Sequence, residues 1–156
     1  MVIKKMDEND LAFFNEVRNE CRHMLHNTTK FSLDNTISWF KNNSPNYFTI
    51  FLKNERLGYF RTSIVNEKLF IGMDLHKNQR GKGLAKRLYL DFFKTIKEKE
   101  VYLLVKKKNK IAHNLYKSLG FVEIIDESLN IDKYSILMKK NINKKVLLTG
   151  GCGFVG

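Results

Sequence analysis

Apolar and polar positions along this chain follow two rhythms, and each change of rhythm marks a predicted element. Residues 2–6 carry a short strand pattern. From Asn9 to Met24 the residues Leu11, Phe14, Val17 and Cys21 recur at helical spacing, with Asp7 or Asn9 as the candidate cap. Residues 23–31 read as a loop, and Ser32 then caps a second helix through Trp39, Phe40 and Asn42 that stops near Pro45. Strand patterns over 47–53 and 57–65, joined by Asn54, Glu55 and Arg56, predict a hairpin that 68–75 continues as a meander. A helix over 84–97, a strand over 101–105, a helix over 111–119 and strands near 121–125 and 134–138 follow. This order predicts an α+β fold around a mixed sheet.

Two segments carry more than a fold pattern. Gln79-Arg80-Gly81-Lys82-Gly83-Leu84-Ala85 ends a strand and opens a helix. Its glycines let backbone approach a ligand closely, and the first helical turn aims unpaired N–H groups at an anion such as a phosphate. The second segment, Asn109 to Phe121, follows the strand 101–105. Ala112, Leu115, Tyr116 and Leu119 fall on one helical stripe there, Gly120 suits a helix end, and Phe121 starts another strand.

Together these segments resemble the GNAT superfamily of acetyl-CoA-dependent N-acetyltransferases over roughly residues 1–140. Arg80, Gly83 and Ala85 match its R/Q-x-x-G-x-G/A motif, and Asn109, Ala112, Tyr116, Gly120 and Phe121 match N-x-x-A-x-x-x-Y-x-x-x-G-F. The resemblance implies a mostly antiparallel central sheet flanked by helices, with a V-shaped cleft for acetyl-CoA. It also implies direct acetyl transfer to a primary amine. Tyr116 takes the general-acid position, and Asn109 the place that bonds the CoA arm or orders nearby backbone, with Ala112 beside it. Amides of Gly81, Gly83, Leu84 and Ala85 would hold the pyrophosphate, Arg80 and Lys82 lie near it, and Leu75 offers backbone to pantetheine. The familiar strand glutamate is missing, because alignment on Gly72 puts Phe70 in its place. Asp74 and His76, two apart on one strand, are the candidate bases, with His23, His26 or a water chain as alternatives.

Composition narrows the reading further. With 156 residues and 43% hydrophobic content the chain suits one domain core, and no stretch reaches the roughly 18 to 20 apolar residues of a membrane span. The start lacks the apolar core of a signal peptide, so a cytoplasmic location is expected. Cys21 and Cys152 lie far apart, with no paired spacing for zinc, and no metal is expected. The net charge of +12 is spread over scattered lysines in a chain rich in Asn, Ile and Phe, a mixture that A+T-rich coding can produce. Nucleic acid is therefore not an expected partner. Lys106-Lys107-Lys108, at a strand's carboxyl end, is the local concentration of charge, and there it can be a solvated loop or attract a phosphorylated ligand.

Residues 144–156 resemble the opening of an NAD-dependent epimerase/dehydratase of the extended short-chain dehydrogenase type. Thr149, Gly150, Gly153, Phe154 and Gly156 match T-G-x-x-G-F-x-G, but the fragment lacks the helix and acidic residue that would complete a dinucleotide site. The reading divides the chain into a domain over 1–140 and a linker with a truncated second domain over 141–156, pointing to a bifunctional protein. Arg18-Asn19 through Trp39-Phe40 resembles acetyltransferases of pseudaminic acid biosynthesis. Both resemblances imply a nucleotide-linked amino sugar as acceptor, with Phe31, Trp39, Tyr47 and Phe60 as candidate stacking residues. The alternatives are acetylation of a ribosomal or other protein amine, or an acyl-CoA-binding module without turnover. A homodimer is a candidate assembly.

Overall fold

The computed structural model describes residues 1–21 and 30–142. The strands are β1 (Val2–Lys5), β2 (Phe48–Leu52), β3 (Glu55–Val65), β4 (Lys68–Leu75), β5 (Glu100–Lys106), β6 (Val122–Glu123) and β7 (Ser135–Asn141). The helices are α1 (Leu11–Cys21), α2 (Leu33–Asn43), α3 (Leu84–Phe93) and α4 (Lys110–Ser118). All seven strands form one sheet in the order β1-β2-β3-β4-β5-β7-β6. Every neighbouring pair is antiparallel except β4 and β5.

Local chemistry sets the element ends. Asp7 Oδ1 accepts from the Asn9 N–H at 2.9 Å and Asp10 Oδ2 from the Asp7 N–H at 3.0 Å, a reciprocal cap that starts a short 3₁₀ turn leading into α1. Ser32 Oγ caps α2 by accepting from the Asn35 N–H. The β2–β3 turn is tighter than the sequence suggests. Lys53 and Asn54 alone bridge the strands, both at positive φ, and Glu55 and Arg56 already belong to β3. Helix α3 stops at Phe93 rather than 97, because both the N–H and the hydroxyl of Thr95 close on the Phe92 carbonyl. The strand expected over 121–125 shortens to β6, and the side chain of Asp126 soon after it folds into a turn with Ser128. The last strand runs on to Asn141 through its ladder with β5.

Helices cover both faces of the sheet. On one face α3 and α4 bury a core that includes Ile50, Phe60, Ile71, Leu88, Phe92 and Leu103. Phe60 is fully buried and stacks on Phe92 with centroids 4.0 Å apart. Burial of each such side chain is worth about 1.5–3 kcal/mol, and it removes Phe60 from the candidate ligand-stacking residues. On the other face α1 and α2 pack Phe14, Val17 and Trp39 against Tyr59 and Tyr47. Among the described residues no helix is long and apolar enough to cross a membrane. The segment 144–156, with Cys152, and the histidines His23 and His26 lie outside the described residues.

Candidate active site

The gap between β4 and β5 is where the sheet opens. Their parallel ladder registers at a single pair, Phe70 with Tyr102, so the strands part toward their carboxyl ends at Leu75 and Lys106. Backbone direction along β4 follows from its other edge. The His76 N–H donates to the Leu57 carbonyl at 2.9 Å, so alternation turns the backbone groups of Met73 and Leu75 toward the gap. Backbone polar groups facing a gap are a template for an extended ligand.

Beyond β4 the chain makes a 3₁₀ turn (Lys77–Gln79) and then the glycine run. Gly81 and Gly83 sit at φ +74° and +72°, a region that side chains resist, and a Cβ built on either meets nothing within 4 Å. Their role is backbone shape and open access rather than packing. Gly83 is the N-cap of α3 and supplies no side-chain cap, the first turn holds no acidic residue, and Gly81, Lys82 and Gly83 are exposed. Leu84 and Ala85 therefore begin a ten-residue helix with unsatisfied N–H groups at an open mouth. The residues present fit a pyrophosphate.

Arg80, expected near the pyrophosphate, has protein partners of its own. Its Nε donates to the Leu75 carbonyl at 3.0 Å, one Nη donates to Cys21 Sγ at 2.9 Å, and Glu20 lies 3.7 Å away. The guanidinium ties α1 to the end of β4. Burial pushes the Cys21 thiol up to about 11, with the Asp74 charge adding to it.

On the far side of the gap, Asn109 caps α4 by accepting from the Ala112 N–H at 3.2 Å. It orders backbone, while Ala112 packs against the core. Tyr116 projects from α4 into the core's edge, its ring edge-on to Tyr89 and Phe121 and its hydroxyl 3.3 Å from that of Tyr89. Burial raises its pKa, so the hydroxyl keeps its proton at neutral pH, and the charges of Arg61 and Asp74 both reach it.

The two candidate bases share a face but not a role. Asp74 is buried, with Oδ2 3.0 Å from Arg61 Nε. His76 stacks on Phe13 and places Nε2 2.8 Å from Glu16, while its Nδ1 accepts from the Asn78 N–H, so both ring nitrogens are occupied. Phe70 stands where a base is familiar and packs at a tilt on Tyr102. Lys106, Lys107 and Lys108 border a hollow of about 390 Å³ with Asp132, Tyr134 and Ser135.

Arg61, Tyr59 and Tyr89, which sequence reasoning did not single out, and Arg18, named there only within a resemblance, interact with Asp74 or Tyr116. Arg61 did carry a signal, as a lone charge after the apolar run Leu57 to Phe60. What remained unreadable was the hairpin register that sets it opposite Gly72.

Residues 11–121 match the model of the acetyltransferase (GNAT) family. No curated protein sequence matches the chain. Solved structures do resemble it. A ribosomal-protein-alanine N-acetyltransferase from Brucella melitensis superposes with TM-score 0.73 at 17% identity, over 90% of this chain and 99% of that one. An N-acetyltransferase from Staphylococcus aureus Mu50 gives 0.73 at 14%, over 91% and 98%. The spermidine N-acetyltransferase from Vibrio cholerae, solved with CoA and spermine, gives 0.69 at 19%, over 88% and 92%. At these identities the likeness is one of fold.

Proposed function

The chain belongs to the acetyltransferase (GNAT) family and is an acetyl-CoA-dependent N-acetyltransferase, and on that premise we propose that its acceptor is the amine of a nucleotide-linked amino sugar. The observation that carries the enzymatic reading is the open glycine mouth at the start of α3, beside a gap lined by strand backbone. The acceptor reading is supported by the lysine-bordered hollow at the end of β5 and by the resemblances of residues 18–40 and 144–156.

Acetyl-CoA supplies an activated thioester. Amides of Gly81, Gly83, Leu84 and Ala85 hold its pyrophosphate, and Met73 and Leu75 offer backbone to the pantetheine arm. Asp74 is the carboxylate on the acceptor side and takes one proton from the ammonium, directly or through a water chain. The freed amine forms the new C–N bond while the C–S bond breaks. Tyr116 gives its proton to the departing sulfur, and the second proton shed by nitrogen restores the phenol. The balance is one acetamide, one CoA thiol and one proton to solvent.

The experiment is a thiol-release assay with acetyl-CoA and four acceptors: a UDP-linked and a dTDP-linked amino-dideoxy sugar, an alanine-initiated basic peptide and spermidine. Turnover fastest with a sugar nucleotide is expected. Fastest turnover of the peptide would replace this acceptor with a protein amine, as the name of the Brucella neighbour suggests. CoA binding with no thiol release from any amine would make the domain a binding module.

A further inference from the structure

Three buried side-chain atoms have no properly aligned hydrogen-bond partner among the described residues, and all three lie together: Tyr59 OH, Arg61 Nε and Asp74 Oδ2. Arg61 Nε and Asp74 Oδ2 are 3.0 Å apart, close enough for an ion pair but not aligned as a hydrogen bond. Buried polar groups are almost always satisfied, and here Tyr59, Arg61 and Asp74 have only one another, an imperfectly aligned set that an added polar ligand group would complete. Tyr59 is fully buried and Asp74 is 7% exposed, so the cluster is built into the fold rather than loose on its surface.

A second guanidinium feels the same cluster. The guanidinium carbon of Arg18 on α1 lies over the Phe31 ring, 3.6 Å from its centroid, within Coulombic reach of Tyr59, Tyr47, Arg61 and Asp74. No carboxylate of the described residues pairs with it, and residues 22–29 and 143–156 contain no Asp or Glu. Asp74 is committed to Arg61, while Glu20 faces Arg80 and His76. Two guanidinium groups, each partly exposed, against one buried carboxylate leave a net charge of +1. A stacked guanidinium still presents its fork of N–H donors in the ring plane, the shape that matches a carboxylate or phosphate.

We propose that Arg18, with the Arg61–Asp74 pair and Tyr59, selects an acceptor whose amine is accompanied by its own anionic group, the ammonium lying against Asp74 and the carboxylate or phosphate against Arg18. A polyamine brings only positive charge into a positive site and is rejected. The inference rests on the acetyl-transfer reading above and narrows its acceptor by charge.

The test uses the full chain, with Arg18→Gln and Arg18→Lys as variants. For each, kcat/KM is measured for a UDP-linked amino sugar, for a free amino acid and for the methyl glycoside of the same amino sugar, which lacks the anion. The expected result is an anionic-over-uncharged ratio that falls at least tenfold in Arg18→Gln and recovers only partly in Arg18→Lys. The sugar nucleotide and the amino acid tell phosphate from carboxylate. A ratio unchanged by Arg18→Gln, or spermidine turned over by the wild type as well as the best anionic amine, overturns the proposal. If no amine is acetylated, the acceptor reading fails separately, and the anion site is read by calorimetry of UDP on the CoA-saturated protein. Binding weakened tenfold by Arg18→Gln then supports the site, and absent or unchanged binding overturns it.

Discussion

The guanidinium of Arg61 occupies the space that a side chain on Gly72 would take. The two residues are register partners across β3 and β4, and a Cβ built on Gly72 would lie 2.5 Å from an Arg61 Nη and 2.7 Å from Cζ. Gly72→Ala therefore pushes the guanidinium aside without touching backbone. The expected outcome is a KM for the acceptor raised several-fold with CoA affinity unchanged, measured by steady-state kinetics and calorimetry. An equal loss of CoA affinity would show that the strand itself had moved.

Gly83 separates backbone shape from charge. Gly83→Ala adds a methyl that meets nothing but strains a residue at φ +72°, a cost of about 1–2 kcal/mol. Gly83→Asp adds the same strain and a negative charge at the mouth. CoA affinity by calorimetry should fall more than tenfold further in Gly83→Asp than in Gly83→Ala, since each charge-assisted hydrogen bond to phosphate is worth about 1.5–3 kcal/mol. Equal losses would remove the pyrophosphate from this turn.

Tyr116→Phe keeps the ring contacts with Tyr89 and Phe121 and removes only the hydroxyl. A general acid contributes roughly 100-fold or more, so kcat should drop by that order while acetyl-CoA binding holds. Wild-type kcat would return Tyr116 to a packing role.

Alkaline pH should weaken the fold before it weakens chemistry. Burial raises the pKa values of Tyr59, Tyr89 and Tyr116 above 10 and moves Cys21 from 9.0 to about 11. Each group is held protonated by folding, so its stabilisation is complete below the unfolded value and lost as pH rises through the folded one. Urea midpoints should decline from pH 9 upward. Alkylation mapped to Cys21 should rise with an inflection near 11, and an inflection near 8.5 would show an open thiol.

Asn109→Ala tests the cap on α4. Loss of the bond to the Ala112 N–H should cost about 1 kcal/mol, visible as a lower Tm, with CoA affinity changed little. A large loss of CoA affinity at unchanged Tm would instead give Asn109 a direct ligand contact.

What the sequence determined by itself is what short-range physics controls. Positive-φ glycines before an amphipathic run can only be a turn into a helix, which placed the mouth at Gly81 to Ala85, and the stripe of α4 placed Tyr116. The cap at Ser32 was legible for the same reason, as was the choice of Asp7 or Asn9 before α1, since each bonds within three residues. The β2–β3 turn escaped because Lys53 takes positive φ without a glycine to announce it. The cluster we propose as the acceptor face was decided by tertiary structure alone. Arg18, Arg61 and Asp74 come from a helix and two strands, and only the β3–β4 register and the packing of α1 on Tyr59 bring them together. Arg80 bonds the Leu75 carbonyl and Cys21, and the second of these partners, 59 residues away, was brought to it by the packing of α1. Electrostatic pairing depends on distance in space, and no periodicity along a chain encodes that distance.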